Sequence, residues 1–276
     1  MLIRYCTYEA CFRHSLLDPN CKVNSRDIAP EVLGWHKMCS HMSIWDYVTN
    51  WKAYLAPFPN LVSLRENARI FADCHACHVY ESSNYFDCDC QFPELRGYLI
   101  GKLLWNPYMS EEEYDRHINE FLAAFYGAGW EEIRRYIDME YALTANRCCI
   151  CKEALDKIFV YPLLPGITQE HRTNYVERTY QTDFPDHGLT DLCQHLDEAK
   201  AFFDRALAMA ENDVQRERLE KAKFSLTFLE LFCLPHDKAT MTAEECAAYE
   251  AAVEQYHKTK KEHDYRYNIF TAPFGR

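Results

Sequence analysis

The chain has 276 residues, 48% of them hydrophobic and 14% aromatic, with a formal net charge of −12. This is enough apolar material for one large domain or two modest ones, and too much for a disordered chain. The acidic balance argues against a phosphate-backbone binder, so no nucleic-acid partner is expected, and no apolar run reaches the length of a membrane-spanning helix.

Residues 1–105 alternate strand and helix. The run LIRYCTYEA is short, β-rich and ends at Glu9; a polar loop from His14 to Arg26 follows, with Pro19 and Asn20 as turn formers. Residues 30–40 read as a helix after Pro30, with Val32, Leu33 and Trp35 apolar, and MSIWDYV reads as the second strand. Pro57 and Pro59 break the chain before LVSLRENARIFADC, where Leu61, Leu64, Ala68 and Phe71 recur at helical spacing. HACHVY is a third strand. Phe92 to Trp105 is a helix with Leu95, Leu99 and Leu103 on one face, and Trp35 and Trp105 are expected in the core.

Helices dominate from Ser110 onward. Ser110 and Glu113 have capping-box spacing, Gly127 is a C-terminal stop, and Trp130 to Asn146 forms the next helix. The segment from Cys148 to about Thr190 is rich in proline and could hold a further strand at IFVYPLL. Three amphipathic helices are expected at about 190–211, 213–232 and 242–264, suited to an antiparallel bundle. The predicted division is a strand–helix part at 1–146, an irregular connector at 147–189 and a helical bundle at 190–276.

The three strand-like runs carry Glu9, Asp46 and Glu81, spaced 35 to 37 residues apart. A strand–helix unit of that length, with a carboxylate at each strand's C-terminal end, is how a (β/α) barrel assembles an active site. Glycoside hydrolysis needs such a set: one carboxylic acid to protonate the leaving oxygen and one ionised carboxylate as nucleophile or base. Apolar neighbours such as Tyr8 or Tyr80 would keep the acid protonated. Glu81 and Glu9 are the expected catalytic pair, with Asp46 orienting substrate or tuning a pKa. The competing reading is that each acid caps the next helix or pairs with an arginine. Trp45, Tyr47, Asn50, Trp51 and Tyr54 lie around Asp46, and flat aromatic rings suit the C–H faces of sugars, although Trp and Tyr mostly serve packing.

The 14 cysteines offer a rival. Cys74-x2-Cys77 followed by Cys88-x-Cys90 has some of the character of a structural zinc site, but the second pair has too short a spacer. Cys148, Cys149 and Cys151 form another cluster, as do Cys6, Cys11, His14 and Cys21; the default for these is small buried apolar groups. There is no G-x-G-x-x-G and no Walker-type loop, and no cofactor is expected. With no apolar leader stretch, a cytoplasmic location with reduced thiols is expected.

The strings SIWDYVTNWKAYLAPFPNLVSLRENARIF and ELRGYLIGKLLWNPYMSEEEYDRHINEFLAAFYG resemble a bacterial family of uncharacterised glycoside-hydrolase-like proteins, and TYEACFRHSLLDPNC is similar to that family's segment around a strand-end glutamate. The resemblance covers about residues 3–145. It implies a domain of unknown function allied to the barrels of alpha-glucuronidases and beta-N-acetylhexosaminidases. The implied fold is α/β: a partial (β/α) TIM-type barrel followed by a mainly α-helical C-terminal region, acting on a polysaccharide or glycoconjugate. Glu9, Asp46 and Glu81 match the family's acidic positions. Ser82 and Ser83 stand where the family has a Gln–Gly-like turn. Family members carry several hundred residues before the point where this chain begins, so a carbohydrate substrate is joined by a second expected partner: another copy of the chain, or a separate N-terminal barrel half. The alternatives are a non-catalytic carbohydrate-binding or interaction module and a zinc-stabilised structural protein.

Overall fold

The computed structural model describes residues 2–50, 54–84, 90–146, 188–234 and 241–263. Three parallel strands, β1 (Ile3–Cys6), β2 (Met42–Tyr47) and β3 (Ala76–Ser82), form one sheet in the order β1-β2-β3. Among the described residues β1 and β3 are edge strands and the sheet is open. The partial barrel expected from the spacing is therefore seen only as three neighbouring parallel strands. Barrel closure needs about eight such units.

Helix α1 (Ala29–Met38) connects β1 to β2, and α2 (Leu61–Asp73) connects β2 to β3. Alternation along the strands decides what each face does. Tyr5, Met42, Ile44 and Val79 pack with Val32 of α1 and with Ile70 and Phe71 of α2. The opposite face carries Arg4, Ser43, Trp45, Tyr47, His78 and Tyr80. On it Arg4 Nε donates to Ser43 Oγ, which meets His78 Nδ1 at 3.1 Å.

The larger core is helical. Helices α3 (Pro93–Trp105), α4 (Glu111–Tyr126) and α5 (Trp130–Thr144) join α6 (Gly188–Gln194), α7 (Leu196–Ala208), α8 (Asp213–Cys233) and α9 (Ala243–Glu262). One continuous apolar cluster runs from Leu64 of α2 through Leu99, Leu122 and Tyr136 to Phe203, Phe228 and Tyr256. The first expected C-terminal helix is broken at His195 into α6 and α7. Ser110 Oγ accepts the Glu113 N–H at the start of α4, and Gly127 at its end sits at φ 67°, where a side chain would be strained. The segment IFVYPLL and the cysteines at 148, 149 and 151 lie outside the described residues.

Trp105 is not in the core: it is 90% exposed. It follows Leu103 by two positions, about 200° around the helix, so it points away from the buried Leu95–Leu99–Leu103 stripe. The thiols are not uniformly reduced either, because Cys193 of α6 and Cys233 of α8 form a disulfide with Cα atoms 5.6 Å apart. Among the described residues no helix is long and apolar enough to cross a membrane.

The disulfide joins residues 40 apart in sequence. Closing a loop of that size in the unfolded chain is worth about 4 kcal/mol. The Cys193→Ala/Cys233→Ala double variant should melt on the order of 10 °C lower than the parent. An unchanged midpoint would show that the bond adds nothing to the packing of α6 on α8.

Candidate functional site

The C-terminal ends of the strands bring two of the three predicted carboxylates together. Asp46 and Glu81 are cross-strand neighbours in the β2–β3 register. Alternation puts both on the helix-covered side, in line with Ile44 and Val79. Asp46 is only 2% exposed. Glu81 is half-buried as a residue, yet its Oε2 is enclosed and has no hydrogen-bond partner.

The third strand end supplies a hydroxyl. Thr7 follows β1 directly, its N–H donates to the Trp45 carbonyl, and its Oγ1 donates to Asp46 Oδ1. Glu9 lies on the exposed turn beyond, where the Ala10 N–H returns to the Thr7 carbonyl at 2.8 Å. The strand ends at Cys6, so counting along the sequence to an acidic residue overshot the register by two positions. No pattern in the sequence marks Thr7.

The environments of the two carboxyls differ. Burial raises Asp46 from 3.8 to about 6, against the hydrogen bonds that Thr7 and the Tyr47 backbone give to its charged form. Burial pushes Glu81 well above the usual carboxylate range, and the Asp46 charge pushes it further. With no donor on Glu81 Oε2 and two on Asp46, the pair loses its first proton from Asp46 and keeps the second on Glu81.

These shifts set a pH dependence. A carboxyl whose folded pKa is raised stabilises the fold most below its unfolded pKa, and that contribution is lost as pH rises through the folded value. For Asp46 the window runs from 3.8 to about 6. The melting temperature should therefore fall across that window, and Asp46→Asn should flatten the fall. A variant with the same pH profile as the parent would remove Asp46 as its origin.

The predicted aromatic residues stand apart from the carboxylates. Trp45 stacks on Tyr47 at 6.5 Å and meets Tyr80 edge-on at 5.1 Å, while Tyr8 meets Tyr47 edge-on at 5.4 Å. Arg4 lies over the Trp45 ring. This row occupies the face without helices, with Tyr8 and Tyr80 about half exposed. Tyr8 and Tyr80 thus extend the row instead of walling the carboxylates. Asn50 and Tyr54 are buried beyond the end of β2. Trp51 lies outside the described residues.

Residues 1–138 match the family model described as a domain of unknown function, DUF4838. The chain belongs to that family. The matched region holds all three strands, both paired carboxylates and the aromatic row, and it ends within α5. No curated protein and no solved structure matches the chain.

Two other features of this DUF4838 chain bear on function. A cleft of about 520 Å³ between the 15–19 turn and α2 is lined by Ser15, Asp18, Arg65, Glu66 and Arg69, and neither Asp46 nor Glu81 reaches it. Among the described residues, Cys74, Cys77 and Cys90 of the predicted zinc quartet are not gathered at one place. Cys74 precedes β3, whereas Cys90 follows it and lies beside Asn84 and Arg96. The seven-residue strand between them spans roughly 20 Å, too far for a shared ion. Cys77 donates to the Met42 carbonyl, and Cys88 lies outside the described residues.

Proposed function

We propose that the C-terminal edge of this sheet is a glycoside-cleaving site in which Glu81 is the proton donor and Asp46 the ionised partner. The observation that carries the reading is the alignment of two buried carboxyls across β2 and β3 in unequal surroundings. A glycosidase needs that inequality: one carboxyl kept protonated at neutral pH and one kept charged. The pair differs from the one the spacing suggested, since Asp46 takes the place of Glu9. The separation of the two carboxyls decides the stereochemistry: about 5–5.5 Å gives retention and about 6.5–9.5 Å gives inversion.

In this reading the open sheet is part of a larger (β/α) wall. The edges of β1 and β3, open among the described residues, receive further strands, either from another copy of the chain or from a separate polypeptide. Edge strands with unpaired N–H and C=O groups take such partners readily. The substrate is a polysaccharide or glycoconjugate long enough to stack one ring on Trp45 and its neighbours while another crosses the C-terminal edge to the carboxyls.

A second reading, a non-catalytic carbohydrate-binding module, is favoured by one observation. Trp45, Tyr47 and Tyr80 occupy the face opposite the carboxyls, so a sugar bound flat on the row need not reach them. The two readings separate on paired variants, tested by oligosaccharide-array binding and by a panel of nitrophenyl glycosides. Trp45→Ala should weaken oligosaccharide binding at least tenfold in both. Only the catalytic reading expects turnover that Glu81→Gln removes while binding survives. Binding and turnover both indifferent to Trp45→Ala and Glu81→Gln would overturn both readings.

A further inference from the structure

The loop between β1 and α1 carries a cluster unrelated to the carboxylates. Cys11, His14 and Cys21 place their side-chain donor atoms within 4.8 Å of one another. Both cysteines are almost fully buried and His14 is partly so. We propose that these three residues bind a zinc ion that fastens the β1–α1 loop to the end of α5.

Four observations support the proposal. The first is distance. Cys11 Sγ stands 3.4 Å from His14 Nδ1. A tetrahedral zinc with ordinary Zn–S and Zn–N bonds sets its sulfur and nitrogen ligands about 3.5 Å apart. The second is the imidazole's orientation. His14 Nε2 lies 2.8 Å from the Ala145 carbonyl oxygen, which can only accept, so Nε2 carries a hydrogen and Nδ1 is the nitrogen turned to the cluster, able to ligate in the neutral imidazole. A ligating histidine is usually held this way, by a carbonyl or carboxylate on its other nitrogen.

The third observation is the rigidity of the loop backbone. Asn24, wholly buried, accepts the Cys11 N–H and donates to the carbonyls of Cys11, His14 and Ser15. From α2, Ser63 Oγ donates to the Phe12 carbonyl and Asn67 Oδ1 accepts the Leu16 N–H. Arg13 reaches α5, donating to Thr144 Oγ1 and to the Tyr141 carbonyl. The donors are thus pre-positioned on a braced loop, as a metal site requires. The fourth is donor chemistry. Two thiolates and one imidazole are soft and borderline ligands that suit zinc, and they disfavour magnesium and calcium, which take oxygen. Three protein donors leave the fourth tetrahedral position to a water molecule.

Cys11, His14 and Cys21 group with Cys6 in the sequence, but their spacing does not mark a metal site. Two residues separate Cys11 from His14 and six separate His14 from Cys21, a pattern unlike paired C-x2-C knuckles. The three meet only because Asn24 folds the loop back on itself.

The test uses the full chain, purified without chelator in a non-thiol reductant, with zinc quantified by mass spectrometry. About one zinc per chain should survive dialysis. Zinc-edge X-ray absorption on the unaltered protein should read two sulfur and two nitrogen or oxygen ligands, which needs no variant to fold. Cobalt(II) in place of zinc should give thiolate charge-transfer bands and the intense visible bands of tetrahedral coordination. Cys21→Ser and His14→Asn should each weaken zinc binding by more than about tenfold, since even second-shell changes cost that much. Cys74→Ser/Cys77→Ser should leave it unchanged. Absent zinc with no cobalt charge transfer, a Cys11–Cys21 disulfide in the reduced preparation, four sulfur ligands, or zinc lost only with Cys74 and Cys77 would each overturn the assignment.

Discussion

Glu81→Gln is expected to lower glycoside turnover by roughly 10²–10⁴-fold, the usual contribution of a positioned general acid. The fold should survive. Burial and the Asp46 charge favour the protonated form of Glu81, and glutamine is the neutral isostere of that protonated acid. The variant also removes the cost of forcing a second charge beside Asp46, so its melting temperature should match or exceed the parent's, with the margin growing as pH rises. The combination is diagnostic: a structural residue would lose stability along with activity. Turnover unchanged by Glu81→Gln would remove Glu81 from the mechanism, and a large loss of stability would mean that its role is packing. Asp46→Asn should also abolish turnover, but by removing the ionised partner.

Arg96→Met is expected to destabilise the protein by about 3–5 kcal/mol. Arg96 lies in α3, only 2% exposed. It donates to Asn60 Oδ1 at 3.0 Å, to the Gln91 carbonyl at 2.8 Å and to the Phe58 carbonyl at 3.4 Å. It therefore ties the loop after β2 to the loop after β3. Gln91 in turn donates to Glu140 Oε1 and to the Tyr136 hydroxyl of α5. Burial raises Glu140 to about 7, held down in part by Gln91, Tyr136 and the charges of Arg96 and Arg13. Methionine fills much of the volume but leaves three buried acceptors without donors and Glu140 with only the charge of Arg13 nearby. Phe92, held at φ 48° beside this network, would lose part of what keeps it in the left-handed region. Thermal melts of the variant should fall by on the order of 10 °C. A shift within a degree or two would show that water replaces the guanidinium at little cost.

Much of the fold was legible because the local signals were strong. Each strand is a short β-rich run followed by a break, and α2 repeats its apolar residues at helical spacing from Leu61 to Phe71. Ser110 and Gly127 mark the ends of α4 through their backbone chemistry. What failed depended on register or on direction around a helix. Glu9 has the right spacing, but the strand stops at Cys6 and a turn intervenes. Trp105 continues an apolar helix yet points away from its buried stripe. Alternation separates Trp45 from Asp46, one residue apart, onto opposite faces. Cys11, His14 and Cys21 group with Cys6 by proximity in sequence and there read as buried apolar groups; their convergence depends on a loop braced by the buried Asn24.

The most direct test of the account is the protonation of the carboxyl pair itself, because it needs no substrate. Carboxyl carbon-13 shifts of Asp46 and Glu81, followed through a pH titration and assigned with Asp46→Asn and Glu81→Gln, read it out. Asp46 should titrate near 6, and Glu81 should titrate well above the usual carboxylate range. Removing Asp46 should bring Glu81 down, since the neighbouring charge is gone. Two carboxyls titrating independently in the ordinary range would contradict the account, leaving Glu81 without the proton its proposed role requires.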